Sequence, residues 1–132
     1  MIIKDPSSVN GAPRLLLRAE GLAVALASIA AFAWSGASWL LFAALILTPD
    51  LSMLGYLAGP RRGALAYNAV HTYLGAVVLF GGTAALAAPM GMAIALIWSA
   101  HIGVDRALGY GLKYDDGFGS THLGRIGRQT QE

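Results

Sequence analysis

Four apolar stretches, each close to twenty residues long, leave this chain few folds to choose from. Leu15 to Trp34 is the first, broken only by Arg18 and Glu20. Ala37 to Leu57 is the second, with Pro49-Asp50 near its end; the third runs from about Gly63 to Ala87. The fourth opens at Pro89 or Gly91 and ends at about Leu108. A helix of roughly 20 apolar residues covers the ~30 Å hydrocarbon core of a bilayer, so each stretch is expected to cross a membrane. Composition agrees. Only 12% of the 132 residues are charged, where a soluble domain of this size carries about twice that share. The organisation expected is an N-terminal segment (1–14), a four-helix transmembrane domain (15–108) and a C-terminal tail (109–132).

The loops set the orientation. "SGAS" (Ser35 to Ser38) and "GGTAALAAPMG" at the third turn carry no charge, whereas Lys4, Arg14 and Arg18 precede or open the first span. Arg61 and Arg62 lie between spans two and three, and Arg106, Lys113, Arg125 and Arg128 stand at or beyond the end of span four. Every basic residue thus falls on one side of an up-down-up-down path, the side that remains cytoplasmic. Short links favour antiparallel neighbours. The expected fold is therefore all-α, a four-span bundle with both termini cytoplasmic, and the start does not read as a cleavable signal. No cysteine is present, which excludes disulfides, thiolate zinc sites and iron–sulfur clusters. No basic run suggests nucleic acid. The tail from Gly109 is expected to be extended, or to form a short helix against the mouth of the bundle.

At ~1.5 Å of rise per helical residue, the few ionisable groups gather in one leaflet. Glu20 lies a turn or two inside the first span, Asp50 near the end of the second, and His71 about two turns into the third. His101 and Asp105 occupy the last turns of the fourth and, four residues apart, share a helix face. Tyr67, Asn68 and His71 form a second polar stripe. Ionisable groups in lipid cost roughly 2.5–3.5 kcal/mol each on insertion scales and normally face the interior with partners. A polar pocket open to the cytoplasm follows, with "DDGFGSTH" (Asp115 to His122) able to fold over it.

Imidazole and carboxylate donors without sulfur suit zinc, manganese or iron. His71, His101, Asp105 and His122 are the candidate ligands, with Glu20 and Asp50 as catalytic carboxylates beside them. Arg106 and Lys113 are candidates for holding an anionic group, and Tyr67 and Asn68 for contacting the substrate. Such a centre serves hydrolysis of a lipid or lipid-linked phosphoester. The competing reading is a non-enzymatic membrane scaffold or lipid-binding subunit, or part of a homo-oligomer, in which the same residues act as interhelical glue. Haem ligation by His71 and His101 is disfavoured by carboxylates at the same depth.

The segments "RAEG" (Arg18 to Gly21), "PDLSMLGY" (Pro49 to Tyr56), "YNAVHTY" (Tyr67 to Tyr73), "WSAHIGVDRALGYGLKY" (Trp98 to Tyr114) and "FGSTHLG" (Phe118 to Gly124) together resemble a small bacterial integral-membrane family, domain of unknown function 4260. The resemblance spans about Leu15 to Gly127. It implies a stand-alone four-helix protein of the bacterial inner membrane and brings no established activity. Its motif positions here are Glu20, Asp50, Tyr67, Asn68, His71, His101, Asp105, Arg106, Lys113, Thr121 and His122. Family members often carry a proline after the YNxxH stretch; this chain has "LGA" (Leu74 to Ala76) instead, which removes the ground for a kink in span three. In residue type and setting, though not in alignable sequence, the chain is also similar to membrane-bound metal-dependent hydrolases.

Overall fold

A computed structural model describes residues 7–126. Helix α1 (Gly11–Ser35) is followed by α2 (Trp39–Leu45), a 3-10 helix (Thr48–Ala58), α3 (Pro60–His71), α4 (Tyr73–Ala85) and α5 (Pro89–Leu108). Two short strands, β1 (Ser120–Thr121) and β2 (Gly124–Arg125), close the described chain. Three helical stretches are long and apolar enough to cross a membrane: Gly11–Ser35, Trp39–Ala58 and Pro60–Ala85. Helix α5 is outside that set because its last turns carry His101, Asp105 and Arg106. It is the central helix, packed against α1 and α4, and it buries His101 beside Ala93, Ala95, Ile97, Ala100, Ile102 and Gly103.

Helix α5 packs antiparallel to both α1 and α4. Gly21 of α1 meets Gly103 of α5, while at the other end Phe32 packs on Ala93 and Ile97. A Cβ on Gly103 would stand 2.6 Å from the Gly21 carbonyl oxygen, so the two backbones touch only because both side chains are absent. Gly75 of α4 faces Trp98, and Thr83 faces Gly91. Tyr56 of the 3-10 helix lies on Gly63 of α3. Phe32, Trp39 and Phe42 form an edge-on aromatic group, with ring centroids 5.0 to 5.4 Å apart, at the end remote from the polar residues.

Two of the long stretches are broken. In the second, α2 stops at Leu45 and the chain tightens into eleven residues of 3-10 helix with Pro49 in its first turn; proline has no N–H to continue an α-helix. In the third, Thr72 adopts φ −87° and ψ 148°, extended geometry that separates α3 from α4. Span three is thus broken at Thr72 although "LGA" stands where family members often carry proline. The break occurs without proline because side chains elsewhere satisfy the backbone groups it frees, as described below.

Among the described residues the tail, expected to be extended or a short helix, instead folds back on itself. Gly109, at φ 90°, ends α5 in the left-handed conformation, which only glycine adopts without strain. The chain then turns back as a hairpin pairing Ser120 with Arg125 and Thr121 with Gly124, with Lys113 bridged to Thr121. Arg14 Nε donates to the Leu123 carbonyl at 2.5 Å, Val9 N–H to that of His122 at 2.8 Å, and the Tyr114 hydroxyl to that of Ser7 at 2.5 Å. Leu123 is fully buried beneath these contacts. The hairpin is thus part of the fold.

Candidate metal centre

Each helix break exposes a carbonyl or places a side chain at one common point. Ile46, in the turn after α2, has a carbonyl free of helical bonding, and His101 Nδ1 donates to it at 2.6 Å. His71, the last residue of α3, donates through Nδ1 to the Tyr67 carbonyl at 2.9 Å. The Tyr67 ring lies flat on the imidazole, with centroids 3.7 Å apart and planes 4° from parallel. A carbonyl only accepts, so each Nδ1 carries hydrogen, and a ring in its neutral form then offers the lone pair at Nε2.

The two Nε2 atoms face one another. Nε2 of His71 and Nε2 of His101 are 3.2 Å apart. Asp50 Oδ1 is 3.2 Å from both. Asp105 Oδ2 is 3.2 Å from His101 and 3.5 Å from His71. All four ligand atoms lie within 4.8 Å of one another. Four acceptors cannot share so small a volume without positive charge among them. One proton satisfies a pair of acceptors; a metal ion satisfies all four. A tetrahedral zinc with bonds of ~2.0–2.1 Å separates its ligands by roughly 3.3–3.4 Å, close to the five contacts of 3.2 to 3.5 Å that involve a ring nitrogen, while the two carboxylate oxygens lie within 4.8 Å of each other. The backbone acceptors behind each Nδ1 are the outer hydrogen bonds that orient metal-binding imidazoles.

Burial divides the four. The side chains of His71 and His101 are 3% and 5% exposed, whereas Asp105 is 16% and Asp50 34% exposed. The imidazoles form the back wall. Both carboxylates line a cavity of about 270 Å3, with Met53, Tyr67, Tyr110, Lys113, Phe118 and Ile126 as the remaining walls. The tail supplies Tyr110, Lys113, Phe118 and Ile126, and of "DDGFGSTH" it is Phe118 that reaches this cavity.

Other expected site residues take different places. Glu20 is exposed on α1 and does not join the cluster: its neighbour Gly21 faces α5, and about 100° of helical turn points Glu20 away. His122 also stands apart from the four ligand atoms. Its Nδ1 accepts the Leu112 N–H at 2.9 Å, which commits the ring to holding the tail. Burial, and next the Arg106 charge, lower its pKa below the ordinary value. Arg106 donates to the His71 carbonyl at 3.1 Å, and Trp98 Nε1 donates to the Val70 carbonyl at 2.7 Å; both oxygens are released by the break at Thr72. Asn68 grips the backbone of Lys113 from both sides, donating to its carbonyl at 2.8 Å and accepting its N–H at 2.6 Å. Tyr67 and Lys113 do reach the cavity wall. Burial pulls the Lys113 ammonium down to about 8, against an opposing pull from Asp105.

Sequence reasoning assigned no part in the site to Trp98, to the Ile46 carbonyl or to the Phe118 ring. Nothing in their spacing marks them, because each acts on a residue distant in sequence.

The model of a family described as a domain of unknown function (DUF4260) matches residues 14–126, a range holding all four ligands and the tail hairpin. No curated protein and no solved structure matches the chain.

Proposed function

The chain belongs to this family, and we propose that it is an integral membrane protein whose inner leaflet holds a divalent transition metal, zinc fitting best, between His71, His101, Asp105 and Asp50. One observation carries the reading: two imidazole nitrogens and two carboxylate oxygens converge, with contacts of 3.2 to 3.5 Å between the rings and from each ring to both carboxylates. The finer proposal is hydrolysis of a lipid or lipid-linked phosphoester. It is supported by the cavity that reaches both carboxylates, and by Asp50, the most exposed ligand, as the one best placed to yield its position and take a proton from water. A divalent ion there would supply Lewis acidity and a water acidic enough to attack at neutral pH. In the same proposal α5 makes a fourth crossing, the path runs up-down-up-down, and both termini lie in the cytoplasm of a bacterium, as the one-sided basic residues favour.

The test is elemental analysis of detergent-purified protein. About one zinc, manganese or iron per chain is expected, lost in His71→Ala and His101→Ala. A folded protein that carries no metal, and whose melting temperature does not rise on adding zinc, overturns the site. A structural metal in a scaffold is the second reading, favoured by the fact that all four positions are filled by protein side chains, as in closed zinc sites. It predicts that chelation lowers the melting temperature and that a chromogenic phosphodiester is not turned over; metal-dependent turnover decides for the hydrolase.

A further inference from the structure

Lys113 is a charged side chain that the metal centre does not use, yet it is only 4% exposed. Its Nζ sits 3.8 Å from the centroid of the Phe118 ring and 4.8 Å from that of Tyr67. Among the described residues that ammonium has no hydrogen-bond acceptor and no carboxylate within ion-pairing distance. Aromatic faces attract a cation, but by about 0.5–2 kcal/mol, well short of what a buried ammonium forgoes in hydration. The position is enforced, since Asn68 on α3 fixes the Lys113 backbone at two points. The free end borders the same cavity as Asp50 and Asp105.

Charge counting says what would complete it. Two neutral imidazoles, two carboxylates and a divalent ion sum to zero, so a filled centre does not by itself attract an anion. Lys113 adds one positive charge to the cavity. A ligand with a single negative charge neutralises it, whereas a dianion would leave a charge uncompensated in a place of low dielectric constant.

We propose that this cavity binds a phosphodiester monoanion, with one anionic oxygen ion-paired to Lys113 and the other directed at the metal centre, and with the apolar body of the ligand against Met53 and Phe118. This rests on the metal reading above. The diester can arrive as the head group of a membrane lipid or as a soluble ester. The low ammonium pKa is in keeping with a cation that lacks its partner.

The experiment titrates zinc-loaded, detergent-solubilised protein with dimethyl phosphate, and compares wild type with Lys113→Met, which keeps length and burial but not charge. Zinc content and melting temperature are read on the same samples. Dimethyl phosphate should bind the variant at least tenfold more weakly while zinc content stays at wild-type level. Neutral trimethyl phosphate should not distinguish the two proteins. Short-chain phosphatidylglycerol binding more tightly than dimethyl phosphate, with the same Lys113 dependence, assigns the ligand to the lipid; equal binding assigns a soluble ester. Equal affinity of wild type and Lys113→Met for dimethyl phosphate, with zinc in place, overturns this inference and leaves the metal centre standing. A wild-type protein that takes up no zinc overturns both, and the zinc measurement tells the two failures apart.

Discussion

His122 accepts the Leu112 N–H through Nδ1, a bond that only an unprotonated nitrogen can make, and its pKa is lowered by burial and then by Arg106. The ordinary value is 6.5. Below that pH an unfolded tail takes up a proton that the folded tail refuses, so the stability present above pH 6.5 is lost as pH falls through the lowered value. The opening free energy of the Leu112 amide, measured by hydrogen exchange, should therefore decline on acidification, and His122→Gln should remove that dependence. Lys113 works in the opposite range. Its pKa falls from 10.5 to about 8 on folding, so between those values the unfolded chain holds a proton that the folded one has released. Stability should rise from pH 8 towards pH 10.5, on the order of 3 kcal/mol in all if the whole shift is expressed. The melting temperature in detergent at pH 7.5 and at pH 10 checks this, with Lys113→Met giving no such rise. Residue positions of this kind were half legible in the sequence. Depth along a span identified Asp50, His71, His101 and Asp105, because a charge in lipid must find partners. Depth does not give the direction around the helix, which is why Glu20 was expected in the cluster and lies outside it.

The elements show why the breaks matter. An unbroken third span would give the Val70 and His71 carbonyls helical partners; the extended Thr72 removes them, and Trp98 and Arg106 of α5 take their place. The second span breaks after Leu45, and His101 takes the freed Ile46 carbonyl. His101 is thus oriented by backbone that has left the α-helix and His71 by the Tyr67 carbonyl in the last turn of α3, and α5 is the element that makes each break tolerable. Trp98→Phe keeps the ring and deletes the donor. It should destabilise the protein by about 1–3 kcal/mol, the cost of a buried acceptor left without a partner, and weaken zinc binding roughly 10–100-fold through misplacement of His71. A melt and a competition titration with a chelator measure the two effects. Helix ends were largely readable: Leu15 to Trp34 became Gly11–Ser35, and the fourth stretch became Pro89–Leu108, since glycine, proline and the limits of an apolar run are local signals. The break at Thr72 was not readable, because its compensating donors stand 28 and 35 residues from the Val70 and His71 carbonyls they serve. The hairpin was hidden for the same reason. It is held by Arg14 and Val9, more than a hundred residues earlier in the chain.

At the scale of the whole molecule, the two ends of the chain meet. Val9 donates to the His122 carbonyl, Arg14 to that of Leu123, and Tyr114 to that of Ser7. Segments joined by hydrogen bonds lie on the same side of a bilayer, so the number of crossings between them is even. With three stretches already long and apolar enough to span, this argues that α5 makes the fourth crossing even though its own end is polar. A helix sheltered by α1 and α4 can carry His101, Asp105 and Arg106 at a depth where a lipid-facing helix cannot. The absence of native cysteine makes the arrangement directly measurable with single introduced thiols at exposed positions. On intact cells, a membrane-impermeant maleimide should label Ser35→Cys and Leu86→Cys and leave Arg62→Cys and Asp116→Cys unreacted; inverted vesicles should give the reverse pattern. Labelling of Asp116→Cys from outside, with Arg62→Cys still protected, would mean that α5 does not cross. The tail would then be separated from Val9 and Arg14, Lys113 and Phe118 would leave the cavity beside Asp50 and Asp105, and the cluster would lose its cover.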